Sequence, residues 1–244
     1  MRKPVPASPD SAQKPASSAA SQTWVPTFFY EQQLWERGLC AVAGVDEAGR
    51  GALAGPVVAG AVIIDPTTLE DPLWSHVRDS KLLTPRQRER LEGEIMVVAA
   101  ACATGMASAL EIDRLGIAPA TRLAMQRALA TLAVVPNGLL IDWVRLPDVP
   151  LPQIARPKAD RDMVSVAAAS ILAKVTRDRR MVAMEDAYPG YGFAAHKGYG
   201  APQHLQALHT LGGCPEHRRT FAPLAGQLAL FAAGESTDEH AHGG

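Results

Sequence analysis

The amino-acid sequence predicts an α/β domain. Short apolar runs of strand length alternate with longer segments of helical period. Two of these runs lie so close together that they must pair as a hairpin. A hydrophobic share of 47% and a charged share of 20% over 244 residues suit one large folded core.

Ala41–Val45 and Val57–Ile64 are the two hairpin strands, joined by a glycine-rich acidic turn. Thr84-Pro85 opens a helix continuing through Arg86–Ile95, with threonine as N-cap and proline at the first helical position. Val97 to Ala109 is small and apolar and reads as a third strand, and Glu111–Leu115 as a short helical turn. Pro119 to Leu132 repeats apolar residues at helical spacing. Gly138–Asp142 is a short strand ending on an acid, and Gln153–Arg156 an edge strand. Val164 to Met184 is a long helix, and a last helix follows over Pro202–Leu211.

The Pro/Ser/Ala-rich residues 1–37 are expected to be a disordered arm, 38–225 the folded domain, and 226–244 a flexible tail. No apolar run is long enough to span a bilayer, no secretory leader is visible, and the net charge of −1 announces no global basic field. Cys40, Cys102 and Cys214 are odd in number and lack metal-ligand spacing, which fits idle thiols in a reducing compartment. The expectation is a cytoplasmic monomer.

The chemistry concentrates where strands end on acids: Asp46 with Glu47, and Asp142, with Asp160 just ahead of the long helix. Neighbours on a strand face opposite sides, so Asp46 and Glu47 share a site only if the strand stops there and the chain turns at once. Clustered carboxylates repel and call for cations, and oxygen ligands without Cys or His select Mg²⁺ or Mn²⁺. Two such ions about 4 Å apart serve phosphodiester hydrolysis. A paired-acid glycosidase is the alternative chemistry, but aromatics for a sugar platform make up only 5% of the chain. The loop Gly49-Arg50-Gly51 is no dinucleotide fingerprint, since it leads through Gly55-Pro56 into a strand instead of a helix. Its glycines let backbone groups approach a sugar or phosphate, with Arg50 as a contact.

Val45-Asp46-Glu47-Ala48-Gly49-Arg50-Gly51 followed by Leu53-Ala54-Gly55-Pro56-Val57-Val58 resembles the opening motif of bacterial ribonuclease HII. Asp79-Ser80-Lys81-Leu82, the segment Ala167–Asp178, Tyr188–Phe193, His196-Lys197-Gly198-Tyr199-Gly200 and His217-Arg218-Arg219 extend the resemblance in order from Gly44 to Phe221. It implies an RNase H-like fold: a central mixed five-stranded sheet flanked by helices, with a small helical C-terminal portion from about residue 186. It implies a metal-dependent endonuclease for the RNA strand of RNA/DNA hybrids. Single ribonucleotides in duplex DNA would also be nicked, on their 5′ side, leaving 3′-hydroxyl and 5′-phosphate ends.

On this resemblance the four metal-binding acids are Asp46, Glu47, Asp142 and Asp160, holding two Mn²⁺ or Mg²⁺ ions. Gly49, Arg50 and Gly51 would read the 2′-hydroxyl, and Tyr199 would pack on the sugar beside the cut. Ser80, Lys81, Ser170, Lys174 and Arg177 would meet backbone phosphates, while Asp178 pairs with a neighbouring arginine. Gln227-Leu228-Ala229-Leu230-Phe231 loosely resembles a sliding-clamp-binding peptide. Four positions depart from the family pattern: Trp143 and Ala159 for glycine, Gly116 for asparagine, and Ala201 for threonine. The loop beyond Asp142 is therefore expected to differ. The contrasting expectation is a catalytically impaired nucleic-acid-binding protein of the same fold.

Overall fold

The structure, a computed structural model, describes residues 25–225. At its centre are strands β1 (Val42–Ala48), β2 (Val57–Ile63), β3 (Ala101–Ala107), β4 (Gly138–Asp142) and β5 (Gln153–Arg156). They form one sheet in the order β3-β2-β1-β4-β5. β1, β2 and β3 pair antiparallel, while β4 and β5 run parallel to β1, so the sheet is mixed. The short β1–β2 turn permits only antiparallel pairing, and the parallel return to β4 needs a long crossover. Helices α3 (Ala109–Leu115) and α4 (Ile117–Ala130) lie in that crossover, while α2 (Pro85–Val98) connects β2 to β3.

All seven residues of β2 are buried, because helices cover both faces of the sheet. On one face Ala120, Ala124 and Ala128 of α4 pack on Ala43, Val45, Ala59 and Ile141. On the other lies the 24-residue helix α5 (Val164–Ala187), with Leu91 and Ile95 of α2 beside it. The contact is close because it is built from small residues: a Cβ at Gly60 would fall 2.3 Å from the Ala169 carbonyl oxygen. α2 begins with the expected cap, in which Thr84 and Gln87 bond reciprocally and Pro85 follows.

Two expectations change. α2 runs on to Val98, so the third strand begins at Ala101 instead of Val97; an apolar run alone does not tell helix end from strand start. The arm expected through residue 37 is folded over its last part, where α1 (Phe29–Trp35) buries Leu34 against Val42, Leu140, Met163 and Val166. Glu31 of α1 is buried and accepts hydrogen bonds from the Ser165 amide and hydroxyl at 2.8 and 2.7 Å. Residues 1–24 and the Gln227–Phe231 peptide lie outside the described residues.

The C-terminal portion, with α6 (Phe193–His196) and α7 (Pro202–Leu211), packs Phe193, Tyr191, Leu208 and Leu224 around Ala54 of the β1–β2 loop. This apposition places the loop against the sequence's last motifs. Cys40, Cys102 and Cys214 are all unbridged. Among the described residues no helix is long and apolar enough to cross a membrane.

Candidate active site

The register of β1 on β4 ends with Val45 opposite Ile141, so Asp46 and Asp142 are the next residues at the carboxyl ends of adjacent parallel strands. β1 does not stop at Asp46 as expected; it stays paired with β2 as far as Ala48. β4 ends at Asp142, leaving the β1 edge open on that side for the longer Glu47 side chain to reach over. One carboxylate oxygen from each of Asp46, Glu47 and Asp142 lies within 4.8 Å of the others. Trp143 therefore does not displace Asp142 from the cluster. Asp142 Oδ1 accepts the Ala159 amide at 2.7 Å, which pins the turn that carries Asp160. Asp160 stands outside the 4.8 Å group, with Lys81 Nζ 3.7 Å from its carboxylate and 3.9 Å from that of Asp79.

These acids lack enough positive charge. Burial, then Glu47, Asp142 and Asp160, push Asp46 well above the usual carboxylate range. Burial lifts Glu47 to about 7, with Arg50 and Lys81 pulling the other way. Burial and the neighbouring Asp79 lift Asp160 to about 6, and burial raises Asp142 against the pull of the Ala159 amide. Burial depresses Lys81, but four carboxylates around it outweigh that and raise it. Glu47 Oε2 is buried and finds no hydrogen-bond partner among the described residues. An all-oxygen set with an unused buried acceptor fits a hard divalent cation.

The loop beside the acids is held by two arginines with no exposed surface, Arg177 and Arg218. Arg218 donates to the carbonyls of Gly49 and Arg50, both at 2.7 Å, and of Gly55 at 2.9 Å. Arg177 donates to Pro56, Ala54 and Lys197 carbonyls at 3.0, 3.1 and 2.9 Å. Gly49, at φ +93°, packs so tightly that a Cβ would fall 1.9 Å from Arg177 Nε. Arg177 is thus corrected from phosphate contact to loop support: burial leaves it no face for a phosphate. Arg218 was missed as an individual. Sequence alone does not separate a buried arginine from an exposed one, and its burial, then Arg177, lower it to about 9.

Ser80 and Ser170 are also buried and hydrogen-bonded to each other at 2.7 Å, so their hydroxyls brace α5 against the Asp79–Leu82 turn. Lys81 is open to solvent on that turn. Lys174 is bonded to Asp178 at 2.7 Å, and Asp178 lies 3.8 Å from Arg88, so its partners are a lysine and an arginine. Tyr199 is 38% exposed, with the Lys174 amine 5.9 Å and the Arg177 guanidinium 5.3 Å from its ring centroid. Its backbone is anchored by histidines absent from the expected site. His204 Nδ1 lies 2.8 Å from the Tyr199 carbonyl, and His204 Nε2 lies 3.0 Å from His217 Nε2. Burial and His204 hold His217 down to about 4. Gly198, next to Tyr199, accepts the Leu53 and Ala54 amides at 2.8 and 3.2 Å, which ties tyrosine and glycine loop together.

Residues 43–224 match the family model described as Ribonuclease HII. A ribonuclease HII of Thermus thermophilus is 54% identical over 195 residues, covering 80% of this chain and 92% of that protein. Among solved structures, the ribonuclease H2 of Pyrococcus horikoshii is 31% identical with a TM-score of 0.65, covering 78% of this chain and 98% of its own. The RNase HII of Archaeoglobus fulgidus, solved in a complex with PCNA, is 27% identical with a TM-score of 0.61, covering 73% and 92%. With strand-end acids, glycine loop and C-terminal motifs brought together in one fold, the chain belongs to the ribonuclease HII family and is a ribonuclease H, an endonuclease for the RNA of RNA/DNA hybrids.

Proposed function

We propose that this ribonuclease H works by two-metal-ion hydrolysis at Asp46, Glu47, Asp142 and Asp160. Beyond RNA/DNA hybrids, its substrates include duplex DNA carrying a single ribonucleotide, nicked on the 5′ side to leave 3′-hydroxyl and 5′-phosphate ends. The observation that carries this reading is the convergence of three carboxylates within 4.8 Å beside a glycine loop. Bound Mn²⁺ or Mg²⁺ supplies a water of lowered pKa and a charge sink for the leaving oxygen. Asp46, Glu47 and Asp142 hold the ions at the strand ends, and Asp160 completes the ligand set from its pinned turn.

Recognition belongs to the loop. Arg218 takes the carbonyls of Gly49 and Arg50, which fixes the orientation of the loop's peptide groups. The backbone of Gly49-Arg50-Gly51 is left to meet the ribose, whose 2′-hydroxyl is the sugar group DNA lacks. Tyr199 packs on the adjacent sugar, and Lys81 and Lys174 are the cations that meet phosphates. The enzyme acts as a monomer. The Archaeoglobus fulgidus RNase HII is solved in a complex with PCNA, which supports a sliding clamp as a partner. Gln227–Phe231 is the segment whose sequence resembles a clamp-binding peptide, tested by clamp pull-down with and without residues 226–244.

The experiment is a DNA duplex with one internal ribonucleotide, incubated with Mn²⁺ and then with excess chelator. The expected result is a single nick 5′ of the ribonucleotide, abolished by chelator. No chelator-sensitive nick would favour a binding protein without catalysis.

A further inference from the structure

Trp143 has the least expected backbone in the site. Its φ is +67°, a region that costs an L-residue steric energy and that glycine enters freely. The Val144 amide bonds back to the Asp142 carbonyl at 2.9 Å, closing a three-residue turn of the rare positive-φ kind around it. The Trp143 amide meanwhile donates to the Arg156 carbonyl at 2.9 Å, so the turn is tied to β5. Strain of this sort persists only where its surroundings compensate it.

The compensation lies on the indole face. The guanidinium carbon of Arg50 sits 3.4 Å from the Trp143 ring centroid, in stacking contact. Arg50 Nη1 is 3.3 Å from Glu47 Oε1, and Arg50 Nε is buried without a hydrogen-bond partner among the described residues. A π face tolerates a cation in this condition. Arg50 is therefore fixed at both ends, its carbonyl by Arg218 at 2.7 Å and its side chain between Trp143 and Glu47. Arg177 and Arg218 hold the loop from its buried side, and between Gly49 and Gly51 Arg50 is the residue whose side chain holds it on the side facing the acids.

We propose that Trp143 is a specificity-determining positioning residue: by stacking on Arg50 it holds the Gly49–Gly51 loop in its ribose-reading position beside Glu47. The inference rests on the reading of that loop as the detector of the 2′-hydroxyl. Trp143 touches neither substrate nor scissile phosphate in this role and acts through Arg50.

The test uses the full-length protein and its W143F and W143G variants. Fluorescence anisotropy in chelator compares affinity for a single-ribonucleotide duplex with that for the all-DNA duplex of the same sequence. W143G suits the positive-φ turn, so the fold is kept, and the preference for the ribonucleotide duplex should fall about tenfold. W143F keeps an aromatic face and should retain most of it. R50A should change the tryptophan emission of the parent chain and leave that of W143F unchanged. W143G with the parental preference, W143F falling as far as W143G, or R50A acting alike in both backgrounds overturns the proposal. A parent chain without any preference overturns the loop reading and this inference with it. A preference that survives in W143G overturns this inference alone.

Discussion

At Gly51 an added Cβ would meet no atom within 4 Å beyond the adjoining residues, whereas at Gly49 it would strike Arg177. Both are glycines of one loop, yet the fold requires only the first. G49A should destabilise the protein by about 2 kcal/mol or more, from backbone strain and the clash, read as a lower denaturation midpoint. G51A should leave stability within about 0.5 kcal/mol and raise KM for a single-ribonucleotide duplex about tenfold, because only the substrate needs that space. Equal losses of stability would assign Gly51 to the fold. The same reasoning separates the basic residues. K81A should lower the slope of log K against log salt by about 1, as for one lost phosphate contact. R177A should leave that slope unchanged and cost about 3 kcal/mol of stability through orphaned carbonyls.

Among the elements, those with a strong local signature were legible in the sequence. Gly138–Asp142, Gln153–Arg156 and Pro202–Leu211 have the bounds read from pattern, because apolar runs between turn residues and a proline at a helix start are local signals. Asp142 was legible for the same reason, as a strand ending on a carboxylate, whereas Asp46 and Glu47 were read at a strand end and β1 stays paired with β2 to Ala48. The loop support was not legible. Arg218 meets Gly55 across 163 positions of chain, and no local pattern marks an arginine that will be buried on carbonyls. Helix α1 was hidden by the Pro/Ser/Ala composition of the segment ahead of it. The layering of α5 on the sheet makes its own prediction. G60A would drive a methyl into the Ala169 carbonyl and should cost about 2–3 kcal/mol, seen as a lower urea midpoint with unchanged slope.

For the whole molecule, stability and metal binding are linked through the acids. Glu47 rises from an ordinary 4.5 to about 7 on folding, so the folded chain keeps a proton that the unfolded chain releases. Its contribution is full below pH 4.5 and is lost as pH rises to about 7. His217, held down from 6.5 to about 4, works in the opposite sense, adding stability as pH rises through that range. Comparison with E47Q isolates the carboxylate: without metal, the stability of the parent chain relative to E47Q should fall from pH 4.5 to 7. Added Mn²⁺ should raise the parent's thermal midpoint by an increment that grows over the same interval, as protons cease to compete for the ligands.

The claim that the strand-end acids carry the chemistry is tested most directly by D142N on the single-ribonucleotide duplex, with binding and nicking measured side by side in Mn²⁺. The expected result is loss of nicking by about a thousandfold or more with affinity within about threefold of the parent, since removing a ligand charge disables hydrolysis and leaves the loop and Tyr199 in place. Retained turnover would contradict the assignment of Asp142 as a ligand, and with it the two-metal account.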